Sequence, residues 1–335
     1  MKVGVIGGGS WGTALARELA NKDVDTTIYI RNTDQYKAMV ESHINKRYLP
    51  QVVLPASLKL SNDLDKTVAN KEFLVLAVPT NSVRSLMEDL LGKISQDVIL
   101  INVAKGIEVS SLKRISEIVQ EFFPANKFVA LSGPTHAEEV AIDFPSTIVA
   151  ASEDLEAAEK TQNLFMSETL RVYTNDDLLG VELAGALKNI IALANGILVG
   201  LGYGDNSRAA LMTRGLAEIT RLGKAMGAQE ATFLGLTGVG DLIVTCTSEH
   251  SRNRTCGVYI GQGMSVEEAI EKVGMVVEGI KTTASTKELS KKYGVDMPIA
   301  TALYEVIYEG ANVKDIVYRL MSRSKKHEID GYFRG

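Results

Sequence analysis

The sequence predicts an α/β fold: a doubly wound, mainly parallel sheet followed by an all-helical C-terminal domain. Three observations carry that expectation. Short β-branched runs alternate with helical patterns through the first half of the chain. A glycine-rich turn joins the first such run to the first helix. After residues 169–177 (TLRVYTNDD) the strand signals fade and helical patterns take over. The division therefore falls into domains 1–177 and 178–335, with no flexible linker between them.

The run MKVGVIG is the first strand, and TALARELAN (13–21) opens the first helix. Between them stands Gly7-Gly8-Gly9-Ser10-Trp11-Gly12, a G-x-G-x-x-G turn in the strand–turn–helix setting that a Rossmann-type dinucleotide site requires. Gly7 permits the tight turn, Gly9 lets the backbone approach a pyrophosphate, and Gly12 lets helix pack on strand. The helix N-terminus adds free N–H groups and a partial positive charge. Trp11, the single tryptophan, is either a packing residue or a cover over the cleft.

The second strand, TTIYI, ends in Arg31-Asn32, where an NAD-specific site carries a carboxylate for the ribose 2′-OH. An arginine there suits a 2′-phosphate, so NADP(H) is the preferred cofactor with NAD(H) also admitted. The plain alternative is an exposed basic loop residue. The runs FLVLAV, VILINV and KFVALSG follow as strands. They end in Pro79-Thr80-Asn81, Lys105-Gly106 and Gly133-Pro134-Thr135-His136. Three polar turns at the carboxyl edge of one sheet describe a ligand cleft, to which Lys105 adds positive charge. A helical pattern covers 110–122, and STIVAAS is a further strand.

In the second half, helical patterns cover 178–200, 207–227, 265–273, 282–293, 298–309 and 312–323, and Ser265 with Glu268 forms a capping box. The first of these helices contains VELAGALKNIIALANGIL, a nearly apolar stretch with Lys188 in its middle. Val181, Ala184, Gly185, Lys188, Ala192 and Asn195 share one stripe, mostly of small residues. A snorkelling lysine is the bland explanation. The small neighbours favour a functional ammonium in a hollow, oriented by Asn189 and Asn195. Further on, GLTGVGDL ends a glycine-rich loop in Asp241, whose plain reading is a helix N-cap. The segment Ser251-Arg252-Asn253-Arg254 suits an oxyanion or is a solvated basic loop.

The composition bounds the rest. At 335 residues, 45% hydrophobic and 23% charged, the chain reads as a globular protein with room for two domains. A net charge of −5 argues against nucleic-acid or anionic-membrane partners. Cys246 and Cys256 have no zinc-type spacing and are too few for a disulfide framework, and no metal-ligand cluster stands out. No apolar segment runs uninterrupted for the roughly 18 residues of a membrane span. A cytoplasmic location without stable membrane insertion is expected, and a homodimer is left open.

Taken together, GGGSWGTALA, AKGIE, SGPTHAEEVA, GALKNIIALANGI, GLGYGDNSRAALMTRGLAEI, GLTGVGDLIVTCTSEHSRNR and VVEGIKT resemble bacterial-type NAD(P)-dependent glycerol-3-phosphate dehydrogenase. The resemblance implies reduction of dihydroxyacetone phosphate to sn-glycerol 3-phosphate, which supplies phospholipid synthesis. It also implies roles. Ser10, Trp11, Arg31, Lys105 and Ala137 contact NADPH, and Arg252, Val276 and Glu278 close on it. Lys105, Gly133 and Thr135 border the substrate. Asp241, Ser251, Arg252 and Asn253 hold the triose phosphate, and Lys188 is the acid/base. His136 stands where the family commonly carries Phe. Two other readings compete: another two-domain reductase acting on a hydroxy acid or ketopantoate, and a non-catalytic NADPH-binding regulator.

Overall fold

The computed structural model describes residues 1–325, 327 and 328; the expected second domain, 178–335, thus ends partly outside the described residues. Its sheet contains β1 (Lys2–Ile6), β2 (Asp25–Tyr29), β3 (Lys59–Ser61), β4 (Phe73–Leu76), β5 (Ile99–Asn102), β6 (Phe128–Ser132), β7 (Ser146–Ala151) and β8 (Leu170–Asn175). The strand order is β3-β2-β1-β4-β5-β6-β7-β8. Val5 of β1 faces Ile28 on one side and Val75 on the other, both in parallel register. The inner strands are apolar on both faces, as helices above and below require. Parallel pairing brings the carboxyl ends of β1, β4, β5 and β6 to one edge. The last two strands reverse: β7 runs antiparallel to β6, and β8 runs parallel to β7.

In the sheet half, β3 and the helix after β5 differ from expectation. The edge strand β3 was not foreseen, because Lys59-Leu60-Ser61 is too short to show alternation. The helix expected over 110–122 begins only at Ile115. Before it, Leu112 adopts a left-handed φ of 59° and Arg114 makes an isolated antiparallel bridge to Ile107, so the chain turns back before it can coil.

The helical half is organised around the helix Leu178–Gly200, buried along nearly all its length. It is the one described helix long and apolar enough to cross a membrane, and 83% of its most apolar window is buried inside the protein. Its closest neighbour is the helix Arg252–Gly261. A Cβ on Gly196 would lie 2.0 Å from the Arg254 carbonyl oxygen, and one on Gly200 2.3 Å from that of Val258. From the other side, a Cβ on Gly257 would lie 2.1 Å from the Leu193 carbonyl oxygen, and one on Gly261 2.3 Å from that of Ile197. The two helices touch backbone to backbone. A helix expected from 282 starts at Glu278 instead. Its first turns are rich in threonine, and Thr282, Thr283 and Thr286 bond back to carbonyls four residues earlier. That leaves little apolar periodicity to read.

Candidate active site

The glycine turn has the geometry its sequence implies. Gly7 holds a φ of 131°, and a Cβ there would lie 2.3 Å from the Ala77 carbonyl oxygen at the end of β4. A Cβ on Gly12 would lie 2.1 Å from the Gly7 carbonyl oxygen. At Gly9 the same position is open space, with no atom within 4 Å. Two glycines are therefore needed by the protein itself, while the third leaves open space beside the backbone. The helix Ser10–Asn21 starts here, and among the described residues no side chain caps it. Its first N–H groups suit the phosphates of a dinucleotide. The Gly8 carbonyl accepts from Gln35 Nε2 (2.6 Å) and Asn45 Nδ2 (3.0 Å), which fixes the turn. Trp11 is half-buried and packs against the cluster containing Ala137 and Ala141. Arg31 is exposed just past β2, and Asn32 caps the following helix by accepting from Gln35 N at 2.8 Å.

Across the cleft stand two buried charges and one half-buried one. Lys188 Nζ donates to Asp241 Oδ1 and, at 2.7 Å, to Thr245 Oγ1. Lys105 Nζ donates to Asp241 Oδ2 at 2.7 Å and to the Gly133 carbonyl at 3.1 Å. One carboxylate thus bridges two ammonium groups, one from each half of the molecule. Lys188 is 6% exposed and Asp241 1%. Burial, reinforced by the nearby Lys105 cation, pulls the Lys188 pKa down to about 7 against the opposing pull of Asp241. Burial works to raise the Asp241 pKa, but Lys105 and Lys188 outweigh it and hold the carboxyl below its usual range. Gly185 is small for a physical reason: a Cβ there would stand 2.9 Å from Ser132 Oγ and 3.5 Å from Lys105 Cγ.

A second polar chain runs alongside. Asn189 Nδ2 donates to the Lys105 carbonyl at 3.4 Å, while its Oδ1 accepts from Asn253 Nδ2 at 3.0 Å. Asn253 Oδ1 accepts from Gly279 N at 2.8 Å, and Glu278 Oε1 accepts from Thr80 N at 3.2 Å. Burial raises the Glu278 pKa. Ser251 accepts from Arg254 N at 3.3 Å and so caps the helix Arg252–Gly261, whose first turn puts Arg252 at the exposed surface. Val276 is exposed on the stretch just before Glu278. Thr135 Oγ1 donates to the Gly133 carbonyl at 3.3 Å, and Ala137 begins the short helix Ala137–Val140. His136 precedes it, its ring centroid 5.7 Å from that of His250. Burial, then the Lys188 charge, lower the His136 pKa to about 4, so the imidazole is neutral.

Residues 2–158 match the N-terminal part, and residues 177–318 the C-terminal part, of NAD-dependent glycerol-3-phosphate dehydrogenase. The chain belongs to this family. It is 53% identical over 332 residues to glycerol-3-phosphate dehydrogenase [NAD(P)+] of Lysinibacillus sphaericus, covering 98% of each chain. It is 50% identical to the enzyme of the same name from Thermoanaerobacter sp., covering 99% of this chain and all of that one. The crystal structure of glycerol-3-phosphate dehydrogenase from Coxiella burnetii superimposes with a TM-score of 0.93 at 33% identity, covering 96% of this chain and 99% of that one.

Several expectations need correction. Asp241 does not cap a helix. It is the first residue of the helix Asp241–Thr247, after Gly240, and its carboxylate serves the two lysines. The 251–254 segment is neither a loop nor all solvated, since it starts a helix and buries Ser251 and Asn253. Asn189 and Asn195 do not orient Lys188; Asn189 binds Asn253 and the Lys105 carbonyl, and Asn195 Oδ1 accepts from Arg208 Nε at 3.4 Å. The hollow beside Lys188 is partly filled by the Lys105 stem. Thr245 was missed. It lies four residues after Asp241, on the same helix face, a spacing that becomes informative once 241–247 is known to be helical. Cys246 and Cys256 are buried, and burial pushes their thiols up to about 12 and about 11. Among the described residues, no group of three or more His, Cys, Asp or Glu is placed to hold a metal ion.

Proposed function

We propose that this enzyme reduces dihydroxyacetone phosphate reversibly to sn-glycerol 3-phosphate, with NADPH preferred and NADH accepted. The observation that carries the reading is the Lys188–Asp241–Lys105 array, buried at Lys188 and Asp241 and set at the sheet edge where the glycine turn receives a dinucleotide. The nicotinamide supplies hydride when bound. Everything else is the work of the chain. Residues 1–177 hold the dinucleotide through Gly7, Gly9, Ser10, Trp11, Gly12, Arg31, Lys105 and Ala137, with Arg252, Val276 and Glu278 reaching across from residues 178–335. The triose phosphate lies among Lys105, Gly133, Thr135, Lys188, Asp241, Ser251, Arg252 and Asn253. Its phosphate meets the Arg252 guanidinium and the start of the helix that Ser251 caps.

Lys188 is the acid/base. As the carbonyl carbon is reduced, its oxygen gains charge and takes a proton from the ammonium. In the oxidative direction the neutral amine accepts that proton. Burial brings the ammonium near the working pH, so both forms are populated. Asp241 and Thr245 hold Nζ in place, and Asp241 limits how far its pKa falls. The product serves phospholipid synthesis, and the cytoplasm is the compartment that fits. The test is the absorbance of reduced nicotinamide. Dihydroxyacetone phosphate should consume NADPH and α-keto acids should not; the reverse result would establish a different reductase.

A further inference from the structure

Glu182 lies six residues before Lys188 on the same helix and has no part in the mechanism above. Its carboxylate is 7% exposed. Oε1 accepts from Ser116 N at 2.9 Å. Oε2 accepts from Arg114 Nη1 at 2.8 Å and from Ser116 Oγ at 2.5 Å. These partners open the helix Ile115–Phe122 in the other half of the molecule. The same Arg114 bridges through its backbone to Ile107, two residues beyond Lys105. The Ile107 carbonyl in turn accepts from Ser285 Oγ at 3.2 Å. Between Glu182, Lys105, Ser132 and Gly185 lies a cavity of about 10 Å³, room for one water, and among the described residues the buried Ser132 Oγ has no hydrogen-bond partner. A buried carboxylate is a costly way to join two elements, and an apolar contact would be at least as stable. What a fully bonded carboxylate adds is a fixed register between them.

We propose that Glu182 is a positioning residue for the reaction: it locks the 107–116 segment onto the helix that carries Lys188, and so keeps Lys105 on Asp241. The inference rests on the acid/base reading of Lys188. Two opposing effects separate it from a merely structural role. If Lys105 drifts from Asp241, Lys188 loses a neighbouring cation and keeps the carboxylate to itself, which raises its pKa. Deleting the Glu182 charge with Lys105 fixed removes a negative charge, which lowers any lysine pKa it reaches.

The experiment is the pH dependence of kcat/KM for reduction of dihydroxyacetone phosphate, measured for wild type, Glu182→Gln and Ser116→Ala. Reduction needs protonated Lys188, so the rate should fall on the alkaline side. In Glu182→Gln that limb should move upward by about half a pH unit or more. KM for the ketone should rise about fivefold, since Lys105 borders the substrate. Ser116→Ala retains the charge and removes one bond to it; its limb should move the same way by less, which covers the case in which Glu182→Gln does not fold. A limb that stays in place while activity tracks the folded fraction overturns the proposal, and so does a limb that moves down. A wild-type profile with no alkaline limb would instead overturn the acid/base reading of Lys188, a distinguishable failure.

Discussion

In the turn between β1 and the helix Ser10–Asn21, recognition rests on missing side chains. In the helical half it rests on charged side chains buried together. Gly7 and Gly12 are dictated by carbonyl oxygens a little over 2 Å from where a Cβ would be, and Gly9 by open space. Lys188 and Asp241 are dictated by each other, and neither would be tolerable there alone. The first kind of site is specified by neighbours in the chain and, in the proposed function, works through main-chain dipoles. The second is specified across long separations and, in the proposed function, works through proton affinity. Loss of a side chain should therefore fall mainly on chemistry in the second, and gain of one mainly on binding in the first.

Lys188→Ala is the strongest test. It should lower kcat by roughly 10²–10⁴-fold while NADPH affinity changes little. A loss below about tenfold at saturating substrate, with chemistry rate-limiting, would remove the acid/base role. Next comes Arg252→Ala. The variant removes the charge-assisted bonds that this exposed guanidinium offers a phosphate. Wild type should prefer dihydroxyacetone phosphate strongly over dihydroxyacetone, and the variant should lose most of that preference. Equal slowing of both substrates would assign Arg252 to the cofactor instead.

His136→Phe addresses the seam between the two regions. The folded protein keeps His136 neutral to about pH 4, whereas the unfolded chain protonates near 6.5. The folded pKa is the lower one, so stability is lost as pH falls from 6.5 toward 4, by up to roughly 3 kcal/mol. Melting temperatures across that window should decline less steeply in the Phe variant; parallel curves would show that His136 titrates normally. Gly12→Ala crowds the turn and should destabilise by about 1–3 kcal/mol, with weaker dinucleotide binding visible by calorimetry. Unchanged binding would count against the loop as the phosphate site. The smallest change is Arg31→Asp, which should shift the kcat/KM ratio from NADPH toward NADH by about tenfold. An unmoved ratio would pass the selector role to a neighbour such as Asn32.

The same contrast explains what could be read in advance. The glycine turn and the strands around it were legible because their constraints are steric and local: a tight turn needs glycine, and a strand covered on both faces needs an apolar run. Lys188 was conspicuous as a cation in an apolar helix, but its partners were not. Asp241 lies 53 positions away, behind glycines that hide the helix it begins. Thr245 was hidden with it. Ser251 and Asn253 were singled out as anion ligands, yet their placement as a cap and a buried amide depends on a helix with weak periodicity. Asn189 was noticed, but its true partners come from two distant segments.

The glycine seam between the helices Leu178–Gly200 and Arg252–Gly261 has a last consequence. Main chain against main chain leaves no rotamers to adjust, so the two helices behave as one stiff piece. If, as proposed, one carries the proton donor and the other begins at the phosphate contacts, the seam is a gauge of fixed length. A ketone phosphate one carbon longer than the triose should seat its phosphate or its carbonyl, but not both.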